Sequence, residues 1–124
     1  MDANEAECYC PHFHRAIELI GRRWTGAILQ SMLGGMTRFS DIRDSVPGLS
    51  DRLLNERLKE LDEQGVVNRC TETRDVHYYL TDVGQGIEPV LASVEIWARD
   101  LSAVAPLPKA VSYTHLTLPT IPLV

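Results

Sequence analysis

Several kinds of chemistry are missing from this chain. It has no glycine-rich phosphate loop, no G-x-S-x-G nucleophile elbow and no carboxylate pair set in a cleft. The expectation is therefore a protein that is not an enzyme and carries no cofactor. No apolar run is long enough to span a bilayer, and the acidic N-terminus lacks the basic, apolar and small-residue order of a secretory signal. A cytoplasmic protein with no membrane partner is expected. Cysteine is sparse: Cys8, Cys10 and Cys70 are an odd number, which argues against a disulfide framework in a reducing compartment. Positive charge is also short, with a formal net charge of −5, so a generally basic nucleic-acid binder is excluded.

The charge is unevenly placed, however. From Arg15 to Lys59 there are eight basic residues against five acids, hence +3, while the acid excess lies at the N-terminus and from Glu60 onward. That asymmetry suits one basic face. A length of 124 residues predicts one domain, and so small a domain can lean on a second subunit for buried surface.

Residues 1–9 read as a flexible acidic arm. Cys10-Pro11 opens a helix, with proline at a tolerated first position, and Phe13, Ile17 and Ile20 follow at helical spacing up to Gly21. A second helix is predicted from about Trp24 to Leu33, with Trp24, Ile28, Leu29 and Met32 on one face. Phe39, Ile42 and Val46 mark a short third helix, closed by the Pro47-Gly48 turn. Ser50 caps a fourth helix, whose buried stripe is Leu54, Leu58 and Leu61 and whose opposite face is Arg52, Glu56, Lys59 and Glu63. Gly65 stops it. Strand-like runs at 66–72 and 76–80 form a hairpin. Thr81 caps a last helix with an apolar stripe of Ile87, Val90, Leu91, Val94, Trp97 and Leu101, bent near Pro89.

This order predicts a mainly α fold with a small β-hairpin wing (α+β), a winged helix-turn-helix, spanning residues 10–104. Such a fold places one helix in the major groove of double-stranded DNA. The exposed half of the fourth helix offers Ser50, Arg52, Asn55 and Glu56 to base edges: Arg suits guanine, Asn adenine, and Glu accepts from cytosine. Lys59, Arg38 at the head of the third helix and Arg74 at the wing tip are phosphate candidates. The plain alternative is a solvated face of spaced ion pairs among Arg52, Glu56 and Lys59. Arg57 borders the leucine stripe and is expected to pair structurally, with Asp44 or Glu60.

The strings CP at 10–11, IELIGRRWTGAIL at 17–29, RFSDIRDSVPGLSDRLLNERLKELDEQGVV at 38–67 and YYLTDVGQGIEPVL at 78–91 together resemble the HxlR-type winged-helix transcription regulators, relatives of the MarR group. The resemblance runs from about residue 10 to 101. It implies a homodimeric DNA-binding regulator joined through its terminal helices, with Phe13, Ile17, Val90, Val94, Trp97 and Leu101 as contacts. A two-fold dimer reads a pseudo-palindromic operator whose half-sites lie about 34–36 Å apart. The tip Thr-Glu-Thr-Arg-Asp is shorter than the proline-containing wing of many members, which makes wing contact with the minor groove less secure.

Cys10 precedes Pro11 at a helix N-terminus, where the dipole favours a thiolate, with His12, His14 and Arg15 nearby. Family members with a cysteine at this place include sensors of quinones, aldehydes and oxidants. The resemblance thus implies a sensing thiol at Cys10, an electrophile or oxidant as effector, and Cys8 as a resolving partner. The alternatives are an inert cysteine, or a regulator that takes a non-covalent ligand or metal between its terminal helices. A winged helix that binds protein instead of DNA is a third reading. Zinc at Cys8, Cys10, His12 and His14 is disfavoured, because a helix from Pro11 sends the two histidines apart and the spacings are unusual; no metal site is assigned. Cys70 is expected to serve packing. The stretch 105–124 reads as a linker and a non-native tail. It contains VSYTHLTLPT at 111–120, which resembles the translation of a transposon adapter.

Overall fold

The structure is a computed structural model that describes residues 10–72 and 74–105. The expectations for residues 1–9, for Cys8 and for the stretch beyond 105 lie outside these. The elements are α1 (Pro11–Ile20), α2 (Thr25–Leu33), α3 (Phe39–Ser45), α4 (Asp51–Glu63), β1 (Val67–Cys70), β2 (His77–Leu80), α5 (Asp82–Gln85) and α6 (Glu88–Val104). They form two compact units, one ending at Glu88 and the other beginning at Pro89.

In the first unit α2, α3 and α4 bury one apolar cluster. Ile28, Leu29, Ile42, Leu54, Leu58, Leu61 and Val67 are fully buried, with Met32, Val46, Leu49 and Tyr78 around them. The three leucines at 54, 58 and 61 are the predicted stripe of α4, and each is worth about 2–3 kcal/mol of transfer free energy. Local chemistry fixes where α4 starts and stops. The Ser50 hydroxyl accepts from the Leu53 amide at 3.1 Å, and Asp51 sits in the first turn, where the dipole is positive. At the other end Gly65 takes φ +79°, and the Val66 and Gly65 amides bond back to the Leu61 and Asp62 carbonyls at 2.8 and 3.1 Å. This 6→1, 5→2 pair is a Schellman stop.

The hairpin is antiparallel, pairing Val67 with Leu80, Asn68 with Tyr79, Arg69 with Tyr78 and Cys70 with His77. Its strands are shorter than the predicted runs. Residues 71, 72 and 74–76 form the tip instead, because pairing ends at Cys70 and His77. β2 also bridges to the segment before α3. Arg38 opposes His77, the Tyr78 amide donates to the Thr37 carbonyl at 2.7 Å, and the Thr37 hydroxyl lies 2.8 Å from His77 Nδ1. The wing is thereby tied to the start of the helix-turn-helix.

Two helix boundaries differ from the expectation. Trp24 does not enter α2; it is the residue before it, at φ +79°. A bulky side chain in the left-handed region is strained, so surrounding contacts must hold it there. The predicted last helix is also divided. Thr81 caps only the short α5, accepting from the Gly84 amide at 3.1 Å, and α6 restarts at Glu88. Pro89 lacks the amide that would continue the ladder to Gln85, so it stands in the first turn of a new helix and does not bend an old one.

Candidate nucleic-acid interface

The turn between α3 and α4 aims the exposed face of α4 outward. Ser50, Arg52, Asn55, Glu56 and Lys59 are all exposed there, as the spacing predicts. Two arginines hold the helix in place. Arg43 at the end of α3 reaches Asp44 Oδ1 through Nε at 2.9 Å and Asp51 Oδ1 through Nη1 at 3.0 Å. These hydrogen bonds, Asp44 first and then Asp51, raise its pKa above the ordinary arginine value. Arg57 is buried, donating from Nε to the Arg23 carbonyl at 2.9 Å and lying 3.6 Å from Glu60. Of its two expected partners Glu60 is therefore the one it meets, since Asp44 is engaged by Arg43.

The DNA-facing candidates are not equally available. Arg52 lies 3.6 Å from Glu56 one turn on, both exposed, which is the ion pair of the solvated-face alternative. Arg38 lies 3.0 Å from Asp75. Arg74 and Lys59 have no hydrogen-bond or ion-pair partner among the described residues. An open groove of about 530 Å³ runs between α4 and the wing, where Arg38 and Ser40 meet Asn55, Arg69, Arg74 and Tyr78. A second groove, of about 350 Å³, continues along α4 past Asn55, Lys59, Asp62, Arg69 and Tyr78. The sequence reading missed Arg69. Its signal was strand alternation, which puts residue 69 on the face of Val67, the residue that β1 buries.

Cys10 is exposed and caps α1, its Sγ accepting from the Phe13 amide at 3.5 Å. His14 faces Glu18 at 3.3 Å. From α1 and the turn after it, three contacts reach α4. Arg15 donates from Nε and Nη2 to Gln64 Oε1 at 3.1 and 2.5 Å, Arg22 lies 3.1 Å from Glu60, and Arg57 holds the Arg23 carbonyl. The apolar residues expected at a subunit contact are exposed on α1 (Phe13, Ile17) and on α6 (Val90, Val94, Trp97, Leu101). Cys70 is half-buried at the end of β1.

A short helix, a glycine turn, a braced helix with a polar outer face and a hairpin tied to the first helix define the winged helix-turn-helix class of DNA-binding proteins. The sequence pattern described as HxlR-like helix-turn-helix matches residues 19–105, and the chain belongs to that family. It is 41% identical over 101 residues to the uncharacterized HTH-type transcriptional regulator YvaP of Bacillus subtilis, covering 78% of this chain and 92% of that one. It is 37% identical over 92 residues to the HTH-type transcriptional regulator YodB of the same organism, covering 72% and 82%. The reduced form of YodB superposes with a TM-score of 0.69 at 32% identity, over 81% of this chain and 99% of that one. The redox regulator HypR in its reduced form gives 0.68 at 28% identity, over 74% and 94%. The protein is thus a transcriptional regulator of the HxlR type and not an enzyme. No helix of the described residues is long and apolar enough to cross a membrane.

Proposed function

We propose that this regulator works as a homodimer on a pseudo-palindromic double-stranded operator and that thiol chemistry at Cys10 controls its affinity. The observation that carries the reading is the exposed Cys10 sulfur at the α1 N-cap, held by the Phe13 amide at 3.5 Å. The sulfur stands open to solvent at a helix end, where a soluble electrophile or oxidant can reach it. The relative YodB has been seen in quinone-bound and diamide-treated forms, which supports a quinone or an oxidant as the effector here. With a quinone, the thiolate adds to a ring carbon and the ring takes up a proton to become a hydroquinone thioether. With diamide, two thiols form a disulfide and diamide is reduced to the hydrazine. The second thiol would be Cys8 or a cysteine of the second copy.

The exposed apolar residues of α1 and α6 support a subunit contact, because so much uncovered Phe, Val and Trp surface on a small domain calls for a partner. In the dimer Ser50, Arg52, Asn55 and Glu56 read bases, and Lys59, Arg38 and Arg74 meet phosphates. A reaction at Cys10 reaches α4 through α1, since Arg15 lies little more than one turn further on and is bonded to Gln64. The test is DNA binding before and after diamide. Wild type should lose affinity, and Cys10→Ser should bind equally well in both conditions. A Cys10→Ser protein that still responds would point to a non-covalent effector.

A further inference from the structure

Arginines in this acidic protein are nearly all engaged. Arg22 meets Glu60, Arg38 meets Asp75, Arg43 meets Asp44 and Asp51, Arg52 meets Glu56, and Arg57 meets Glu60. Arg15 holds Gln64, and Arg23 lies over the Trp24 ring at 4.9 Å. Among the described residues three cations have no such partner: Lys59, Arg69 and Arg74. All three line the grooves between α4 and the wing, and Arg69 lines both. Arg69 issues from β1 opposite Tyr78, which is buried and packs at 6.5 Å between centroids against Phe39. The base of the groove is therefore packed, and Arg69 stands on a paired strand where Arg74 stands on the tip.

Two carboxylates share the grooves, Asp75, which faces Arg38 at 3.0 Å, and Asp62, but neither pairs with Lys59, Arg69 or Arg74, so an anion lying among these three gains attraction from each. The grooves are open troughs, which suit a strand passing over the surface and not an enclosed small molecule. We infer that Arg69 is a DNA-backbone contact, receiving a phosphate of the strand that passes between α4 and the wing, between the phosphates met by Lys59 and Arg74. The inference rests on the reading of α4 as the DNA-facing helix. It adds a residue whose side chain is positioned by the hairpin register and not by the recognition helix.

Phosphate contacts act on every sequence alike and appear in the salt dependence, about 0.9 in the slope of log K against log salt for each. Binding of a random-sequence duplex, followed by fluorescence anisotropy across a salt series, isolates this. Arg69→Ala should reduce the slope by about one, Arg69→Lys should restore it, and Arg99→Ala on α6 should leave it unchanged. Thermal unfolding of each variant separates lost charge from a damaged hairpin, since Arg69→Lys keeps the charge whatever the packing does. An Arg69→Ala slope equal to wild type, with the Arg74→Ala slope reduced, overturns the Arg69 assignment and leaves the DNA reading standing. A wild-type protein with no salt slope overturns both. Loss confined to one preferred sequence would make Arg69 a base reader and also overturn the assignment.

Discussion

Gly48 lies directly against Trp24: a Cβ built on the glycine would stand 3.2 Å from the far edge of the indole ring. The tryptophan before α2 thus packs beneath the turn of the helix-turn-helix. Its left-handed backbone and its buried indole Nε1, which has no partner among the described residues, are costs borne to keep the ring there. Arg57 completes the junction by taking the neighbouring Arg23 carbonyl. The segment that joins α1 to α2 thus packs against the α3–α4 turn from outside, beside the Arg43–Asp51 bridge that crosses it.

Gly48 is required twice, by its φ of +89° and by the closeness of the ring. Gly65, at φ +79°, has nothing within 4 Å of a built Cβ and is required by backbone alone. Gly65→Ala should cost about 1–2 kcal/mol, the ordinary cost of the left-handed region. Gly48→Ala should cost more, because the ring must also shift, and it should weaken DNA binding as well. Urea unfolding with unchanged slope measures the first difference. Equal costs at the two sites would show that the Trp24 contact does not constrain the turn.

Arg52 and Lys59 share one helix face and should behave differently on DNA. Arg52→Ala should lose about 1–3 kcal/mol on a preferred site and little on random duplex, as a bidentate guanine contact would. It first has to leave Glu56, 3.6 Å away, so Glu56→Gln should bind random duplex more tightly than wild type. Lys59→Ala should weaken all sequences alike. Competition between specific and random duplex reads both, and equal loss on the two for Arg52→Ala would remove it from base reading.

The helix order and the α4 stripe were legible in the sequence because each rests on local chemistry. Pro11, Ser50 and Gly65 mark ends by their own backbone and side-chain preferences, and Leu54, Leu58 and Leu61 recur with the helical period. What escaped was set by contacts far apart in the chain. Arg57 faces the stripe edge in the sequence, yet its main partner is a carbonyl 34 residues earlier, which no spacing rule exposes. The break before α6 was missed because Thr81 and the apolar spacing fit one continuous helix, and a missing amide at Pro89 reads equally as a bend. Arg69 was overlooked because a charged residue on a short strand reads as solvent-facing. Only the hairpin register sets it beside Asn55 and Lys59.

The Arg43 clamp should be insensitive to alkaline pH. Its folded pKa is raised, so the stability it contributes is fully present below the unfolded arginine value and is lost only as pH rises through the folded one. Both lie far above neutrality. Arg43→Gln should therefore lower the unfolding midpoint by the same amount from about pH 7 to pH 9. The difference should shrink as salt is added, because the group is at the surface and screened. A difference that fades with rising pH in that window would mean that something other than this guanidinium carries the effect.

The link from α1 to α4 makes a separate demand on the switch. If the state of Cys10 is felt at the DNA through Arg15 and Gln64, breaking that link should uncouple modification from affinity. Arg15→Ala removes the two hydrogen bonds and leaves the cap at Cys10 in place, because that cap is the Phe13 amide. Such a variant should react with diamide as fast as wild type, measured by loss of titratable thiol. Its DNA affinity should fall less on oxidation than that of wild type, because a ligand or modification shifts an equilibrium only through the contacts that differ between its states. Gln64→Ala should reproduce this, and the double variant should add little, since both remove one interaction. If Arg15→Ala loses affinity on oxidation as fully as wild type, the signal does not pass through this pair. The subunit contact between terminal helices would then be the remaining route.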